Sequence, residues 1–216
     1  MTDIGLWAIA RATPDRTAVI EPNGQAVSYA ELAALADRYG RGLQALGLRP
    51  GATVAGMLPN STEALALFFA AAQTGLYVVP VNWHLTAPEV AYILDDSGAA
   101  AFVAHERFAD VAAEAAEGAG IDPDARFAMG AVPGFAPLAA LGADGPGGRP
   151  EPRTAGAPMV YTSGTSGRPK GVRRPLTGED PDQVPWTAIW FFGVFSLAPS
   201  TTTCTCAARR STTRRC

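Results

Sequence analysis

Residues Tyr161 to Val172 read Tyr-Thr-Ser-Gly-Thr-Ser-Gly-Arg-Pro-Lys-Gly-Val, which places four aliphatic hydroxyls, two glycines and a lysine between positions 162 and 170. Gly164 and Gly167 allow positive φ, so that consecutive backbone N–H groups can turn toward one anion. Thr162, Ser163, Thr165 and Ser166 add hydroxyl donors. Pro169 stiffens the exit, and Lys170 supplies a compact positive charge. This is the chemistry of a loop that holds phosphate. It is not the P-loop of nucleoside triphosphatases, which has four residues between its glycines and ends in Gly-Lys-Ser/Thr.

Other residues with chemical capacity are better read as structural. All three cysteines, Cys204, Cys206 and Cys216, fall in the last thirteen residues, so the body of the chain can hold neither a disulfide nor a cysteine-ligated metal. Cys204-Thr-Cys206 lacks the two-residue spacing of zinc knuckles, and no metal site is expected there. His84 lies in a loop before a capped helix, where it orients the turn. His105 sits at a strand end beside Glu106-Arg107, in a solvated turn. Asp95-Asp96 precedes Ser97-Gly98, and adjacent carboxylates point differently, so the pair reads as a helix-ending turn and not as a metal site.

The loop must be carried by the elements before it, and these alternate. Ser28-Tyr-Ala-Glu31 reads as a capping box, after which Leu32, Leu35, Ala36, Tyr39, Leu43 and Leu46 recur at helical spacing until Gly47 offers a C-terminal cap. Thr53–Leu58 is a short apolar strand. Asn60-Ser-Thr-Glu63 reads as a second capping box, opening a helix through Leu65, Phe68, Phe69 and Ala72 to Gly75. Leu76–Val81 is a buried strand whose proline belongs at an edge or strand end. Thr86-Ala-Pro-Glu89 starts a third helix that ends near Asp95–Gly98, and Ala99–Ala104 is the next strand. Pro158–Tyr161 is a strand-like run leading into the phosphate loop. The interval from Gly130 to Pro158, rich in Gly, Pro and Ala, reads as a surface excursion or linker. The repeated strand–helix–strand order predicts an α/β fold with a largely parallel sheet covered by helices.

The phosphate loop with its Pro169-Lys170-Gly171 exit resembles the signature of the adenylate-forming enzymes: acyl-CoA synthetases, luciferases and peptide-synthetase adenylation domains. The Ser-Tyr-x-Glu helix opening, Leu58-Pro-Asn60, Gly75–Asn82 with Leu85-Thr86, and Asp95–Gly98 are similar to the N-terminal subdomain of acyl-CoA synthetases over about residues 5 to 175. Asn82-Trp-His-Leu-Thr86 and the pair Arg173-Arg174 look closest to fatty-acid and related carboxylic-acid CoA ligases. Ser166 replaces the commoner threonine, and the hydroxyl survives. The resemblance implies ATP-dependent activation of a carboxylic acid, through an acyl-adenylate, to a thioester of coenzyme A, with Mg2+ accompanying the nucleotide. It implies that Thr162, Ser163, Gly164, Thr165, Ser166, Gly167 and Lys170 hold the β and γ phosphates. Adenine and ribose contacts and a catalytic lysine lie further along the family's chains, so this chain is expected to be inactive by itself. A non-catalytic phosphate- or nucleotide-binding module, or an interaction remnant, is the alternative.

Composition narrows the class. At 216 residues with a formal net charge of −3, the chain can bury a substantial core and gives no electrostatic case for nucleic acid. No apolar run reaches the length of a membrane span, and Met1-Thr-Asp-Ile lacks a basic n-region, so a cytoplasmic protein is expected. Trp186, Ile189, Trp190, Phe191 and Phe192 form a helical apolar face in search of a core. The last stretch differs from all of this. From Thr201 to Cys216 only Thr, Cys, Ala, Arg and Ser occur, with four of the seventeen basic residues and no acidic one. Such a segment offers no large apolar side chain to offset ordering entropy and is expected to be disordered. Read in a shifted frame, Ala208–Cys216 permits Ala-Pro-Leu-Tyr-His-Thr-Ala-Pro-Leu, similar to the Pro-Leu-Tyr-His segment that follows the phosphate loop in this family. The expected organisation is therefore a partial AMP-binding domain over 1–195 and an aberrant, frameshift-like tail over 196–216, with the frame slipping between about Phe191 and Ser200.

Overall fold

The computed structural model describes residues 5–145, 147–162 and 168–182. Helix α1 (Leu6–Ala12) opens the described chain, and β1 (Thr17–Ile20) pairs antiparallel with β2 (Ala26–Ser28). Then follow α2 (Tyr29–Ala45), β3 (Thr53–Met57), α3 (Thr62–Thr74), β4 (Tyr77–Pro80), α4 (Ala87–Asp96) and β5 (Ala99–His105). A single 3-10 turn leads into α5 (Ala109–Gly118), and β6 (Arg126–Met129), β7 (Ala136–Pro137), β8 (Ala157–Pro158), β9 (Val160–Thr162) and β10 (Lys170–Val172) complete the order.

Six strands form one sheet in the order β7-β6-β5-β3-β4-β8, and every pairing in it is parallel. Successive strand residues point to opposite faces, and here both faces are covered. Val54, Val78, Ala101, Val103 and Phe127 meet α1, α2 and α3 on one side. Ala55, Met57, Val79, Phe102, Ala104 and Ala128 meet α4 and α5 on the other. The near-continuous apolar runs of the strands follow from this double cover. Pro80 takes the final position of β4, where its missing N–H costs the ladder least.

The helix ends follow local rules. Ser28 caps α2 in a reciprocal box: its N–H donates to Glu31 Oε2 at 2.7 Å, and the Glu31 N–H donates to Ser28 Oγ at 3.2 Å. The backbone N–H of Ser28, then its hydroxyl, hold the Glu31 carboxyl below its ordinary range. At α3 the cap falls one residue later than the sequence suggests. Ser61, not Asn60, accepts the N–H of Ala64 at 3.2 Å, and the carboxylate that meets the first turn is Glu21 of the preceding hairpin, 2.8 Å from the Thr62 nitrogen. The box partner came from far along the chain because the β1–β2 hairpin folds against the start of α3. Gly75 ends α3 in the left-handed region at φ 72°, and a Cβ there would come within 2.5 Å of the Thr154 side chain.

The interval from Gly130 to Pro158 is more than a surface excursion. It supplies both edge strands, β7 and β8, and buries Leu138 and Leu141 to 3% and 2% exposure. The apolar run Pro158–Tyr161 is likewise divided, its first residue ending β8 and its last two entering β9. The aromatic face from Trp186 to Phe192, the three cysteines and the tail from Thr201 all lie outside the described residues.

Candidate functional site

β8 docks on β4, the Met159 N–H donates to Val78 O at 2.9 Å, and the chain turns directly into β9. β9 and β10 pair antiparallel in the register Val160–Val172, Tyr161–Gly171 and Thr162–Lys170. Thr162 and Lys170, the first and last of the expected phosphate contacts, are thus brought directly opposite one another, both exposed. Ser163, Gly164, Thr165, Ser166 and Gly167 lie outside the described residues. At Gly171 the backbone is closely approached: a Cβ would lie 2.4 Å from Met159 Cε and 2.9 Å from the Tyr161 ring, so both side-chain ends would have to shift. The aromatic ring therefore lies against bare backbone on the opposite strand.

β9 and the residue that leads into β10 are both bonded to the C-terminal half of α4. The Tyr161 hydroxyl donates to Asp96 Oδ2 at 2.6 Å. The Tyr92 hydroxyl lies 3.3 Å from Asp96 Oδ1 and 3.1 Å from the carbonyl oxygen of Pro169, and its single proton serves one of these acceptors at a time. The Arg168 guanidinium stands 5.1 Å from the centre of the Tyr92 ring, in cation–π range. Burial, and then the hydrogen bond and charge of Asp96, push the Tyr161 phenol well above its ordinary range. Beyond β10, Arg173 donates to Gly51 O at 2.5 Å and stacks 4.3 Å over Tyr77, whose hydroxyl donates to Arg174 O.

Asp96 does end its helix, with Ser97 as the cap and Gly98 at φ 62°, but it also serves the hairpin. Nothing in the local sequence announces that second role, because its partner Tyr161 is 65 residues away. The two histidines sit in local turns. The His84 N–H donates to Asn82 Oδ1 at 3.0 Å, and His105 Nδ1 accepts the Arg107 N–H at 3.0 Å. Sequence reasoning also missed a polar network beneath α1. Asp37 Oδ1 accepts from Trp7 Nε1 at 2.9 Å and from the buried Gln73 at 3.0 Å, and Gln73 Oε1 accepts from Arg153 at 3.2 Å. Arg153 continues to Asp182 at 2.7 Å, which also meets Arg11 and Arg149 at 3.3 Å each.

The described geometry is a parallel α/β sheet followed by an antiparallel hairpin that brackets a Thr/Ser/Gly-rich sequence and begins its second strand with an exposed lysine. The AMP-binding enzyme model matches residues 6–175, a span that includes the hairpin. The chain belongs to the AMP-binding enzyme family. Its curated relatives include long-chain-fatty-acid–CoA ligase FadD13 of Mycobacterium tuberculosis, 37% identical over 185 residues, covering 80% of this chain and 35% of the relative. Feruloyl-CoA synthase of an Amycolatopsis species is 36% identical over 173 residues, covering 78% and 32%. Among solved structures, the inhibitor-bound N-terminal domain of FACL13 from Mycobacterium tuberculosis aligns with a TM-score of 0.62 at 33% identity, covering 80% of this chain and 44% of that one. Apo MbtA of Mycobacterium smegmatis aligns with a TM-score of 0.65 at 30% identity, covering 80% and 33%. This AMP-binding chain spans about a third of the length of the curated relatives it matches, 35% and 32% for these two, and corresponds to their N-terminal part.

Proposed function

We propose that the β9–β10 hairpin is the phosphate grip of an acid-activating ligase, with Thr162, Ser163, Gly164, Thr165, Ser166, Gly167 and Lys170 holding the β and γ phosphates of ATP. The observation that carries this is the register that sets Lys170 opposite Thr162, with β9 and the entry to β10 bonded to α4. In the whole protein a carboxylate oxygen would bond to the α-phosphorus while the bond from that phosphorus to the bridging oxygen breaks, releasing pyrophosphate. Negative charge accumulates on that leaving group, and Lys170 with the loop's hydroxyl and N–H donors would stabilise it where it forms. The thiol of coenzyme A would then attack the acyl carbon and expel AMP. The names of the relatives favour a fatty or related carboxylic acid as the substrate.

Among the described residues no group of three or more His, Cys, Asp or Glu side chains could hold a metal ion. Mg2+ is proposed to accompany the nucleotide, as the family resemblance implies, with the hairpin contributing to the phosphates. Residues 1–195 are proposed as the partial AMP-binding domain and 196–216 as a tail outside it. Among the described residues no helix is long and apolar enough to cross a membrane. A cytoplasmic location is proposed with the rest.

Calorimetric titration of the chain with pyrophosphate and with Mg-ATP tests the grip. Similar, modest affinity for both is expected. Lys170→Ala should weaken each about ten- to hundred-fold, the loss of one charge-assisted contact worth about 1.5–3 kcal/mol. Undiminished binding by that variant overturns the assignment, and turnover of acid, ATP and coenzyme A by the chain alone overturns its expected inactivity.

A further inference from the structure

The cross-strand pairs Val160–Val172 and Thr162–Lys170 occupy one face of the β9–β10 hairpin and Tyr161–Gly171 the other, because successive strand residues alternate. On the first face both valines stand in solvent, at 47% and 48% exposure, and Thr162 and Lys170 are exposed with them. A two-stranded hairpin is at best marginally stable in water by itself. Its orientation must come from contacts elsewhere. The base is held where the Met159 N–H meets Val78 O and where Arg173 meets Gly51 O. The end that carries the loop is held by α4.

Asp96 accepts at 2.6 Å from the hydroxyl of Tyr161, the residue before Thr162. Tyr92, one turn earlier on α4, places its own hydroxyl 3.1 Å from the carbonyl oxygen of Pro169, the residue before Lys170. The Arg168 guanidinium, 5.1 Å from the Tyr92 ring centre, adds a contact at the same point. Residues four apart on a helix are separated by about 6 Å along its axis, and paired strands lie about 5 Å apart. A single turn of α4 therefore spans the width of the hairpin, with one contact for each side of the loop. We propose that Tyr92 and Asp96 are positioning residues for the phosphate grip: they act through Pro169 and Tyr161 to fix where Lys170 stands relative to Thr162. The inference rests on the phosphate reading of the hairpin.

Mutant cycles on the full chain, read by calorimetric titration with pyrophosphate, test it. Tyr92→Phe and Tyr161→Phe each remove one bond and leave the Asp96 charge in place. Each should weaken pyrophosphate binding about three- to ten-fold, the loss of one hydrogen bond. In a Lys170→Ala background the same changes should have little effect, since no lysine remains to be placed; a merely structural role would lower affinity alike in both. Equal losses in the two backgrounds, or no loss beside Lys170, overturn the inference and leave the phosphate reading standing. Undiminished binding by Lys170→Ala overturns that reading and this inference together. A second measurement needs no ligand: backbone order parameters at Thr162 and Lys170, expected at about 0.85 in the wild type, should drop when both tyrosines are changed. Unchanged order parameters in that double variant would equally overturn it.

Discussion

Tyr161 shows how one hydroxyl serves both stability and site geometry. Its phenol is pushed up by burial and by Asp96, so the folded state favours the protonated form. The sign follows: the stabilisation is fully present below the unfolded value of about 10 and is lost as pH rises through the raised folded value. Urea denaturation of the wild type should therefore show stability falling above about pH 10, and Tyr161→Phe should flatten part of that fall. An identical alkaline slope in the variant would remove the Asp96–Tyr161 bond from the account. At this scale the sequence was readable where chemistry is local. The types and spacing of Thr162 to Lys170 suggest a phosphate loop from one stretch of chain, and that reading stands as a proposal. Asp96 and Tyr92 were not readable, because their contribution depends on how far the hairpin folds back onto α4.

The helices were the most legible elements, since a cap and a periodic apolar face lie within one stretch of chain. Edge strands β7 and β8, two residues each, have no periodicity to read, and they exist because β6 and β4 offer them unpaired backbone. The short α1 lacks a side-chain cap as well. Two substitutions test the end rules. Ser61→Ala should destabilise by about 1 kcal/mol, as for other N-caps. Gly75→Ala should cost about 1–3 kcal/mol, because it combines a left-handed backbone with a 2.5 Å approach to Thr154. Thermal denaturation of the two variants gives the ranking, and a neutral Gly75→Ala would refute the steric argument.

Over the whole molecule, the alternation of elements predicted a helix-covered parallel sheet, while the order in which the strands lie could not be read from spacing. β5 crosses to the far side of β3 from β4, which puts α3 and α4 on opposite faces. The distant ends are then drawn together by Asp182 and its three arginines. Burial works to raise the Asp182 carboxyl, but hydrogen bonds and charge from Arg153, with Arg11 and Arg149, outweigh it and hold the group below its ordinary range. A depressed carboxyl stabilises the fold above its unfolded value, near 3.9, and that contribution disappears as pH falls through the folded value. Asp182→Asn should accordingly lower stability at pH 7 and reduce the acid dependence below about pH 4. An unchanged acid profile would show that the clasp contributes nothing.

The pairing of Thr162 with Lys170 has a consequence for tolerance to change. Paired residues bound the seven positions 163–169, so the perimeter of the loop is set by its length alone while its closure is set by the strands. Adding one glycine between Gly164 and Thr165 enlarges the ring by one residue, and the added closure entropy is only about 0.1 kcal/mol. Melting temperature should hardly move. If the loop holds phosphate as proposed, the insertion changes the spacing of its donors, and pyrophosphate affinity should fall at least ten-fold. On the proposed reading, folding and phosphate grip are separable: a line of descent could lose the second through a single inserted codon while the first kept the protein in circulation.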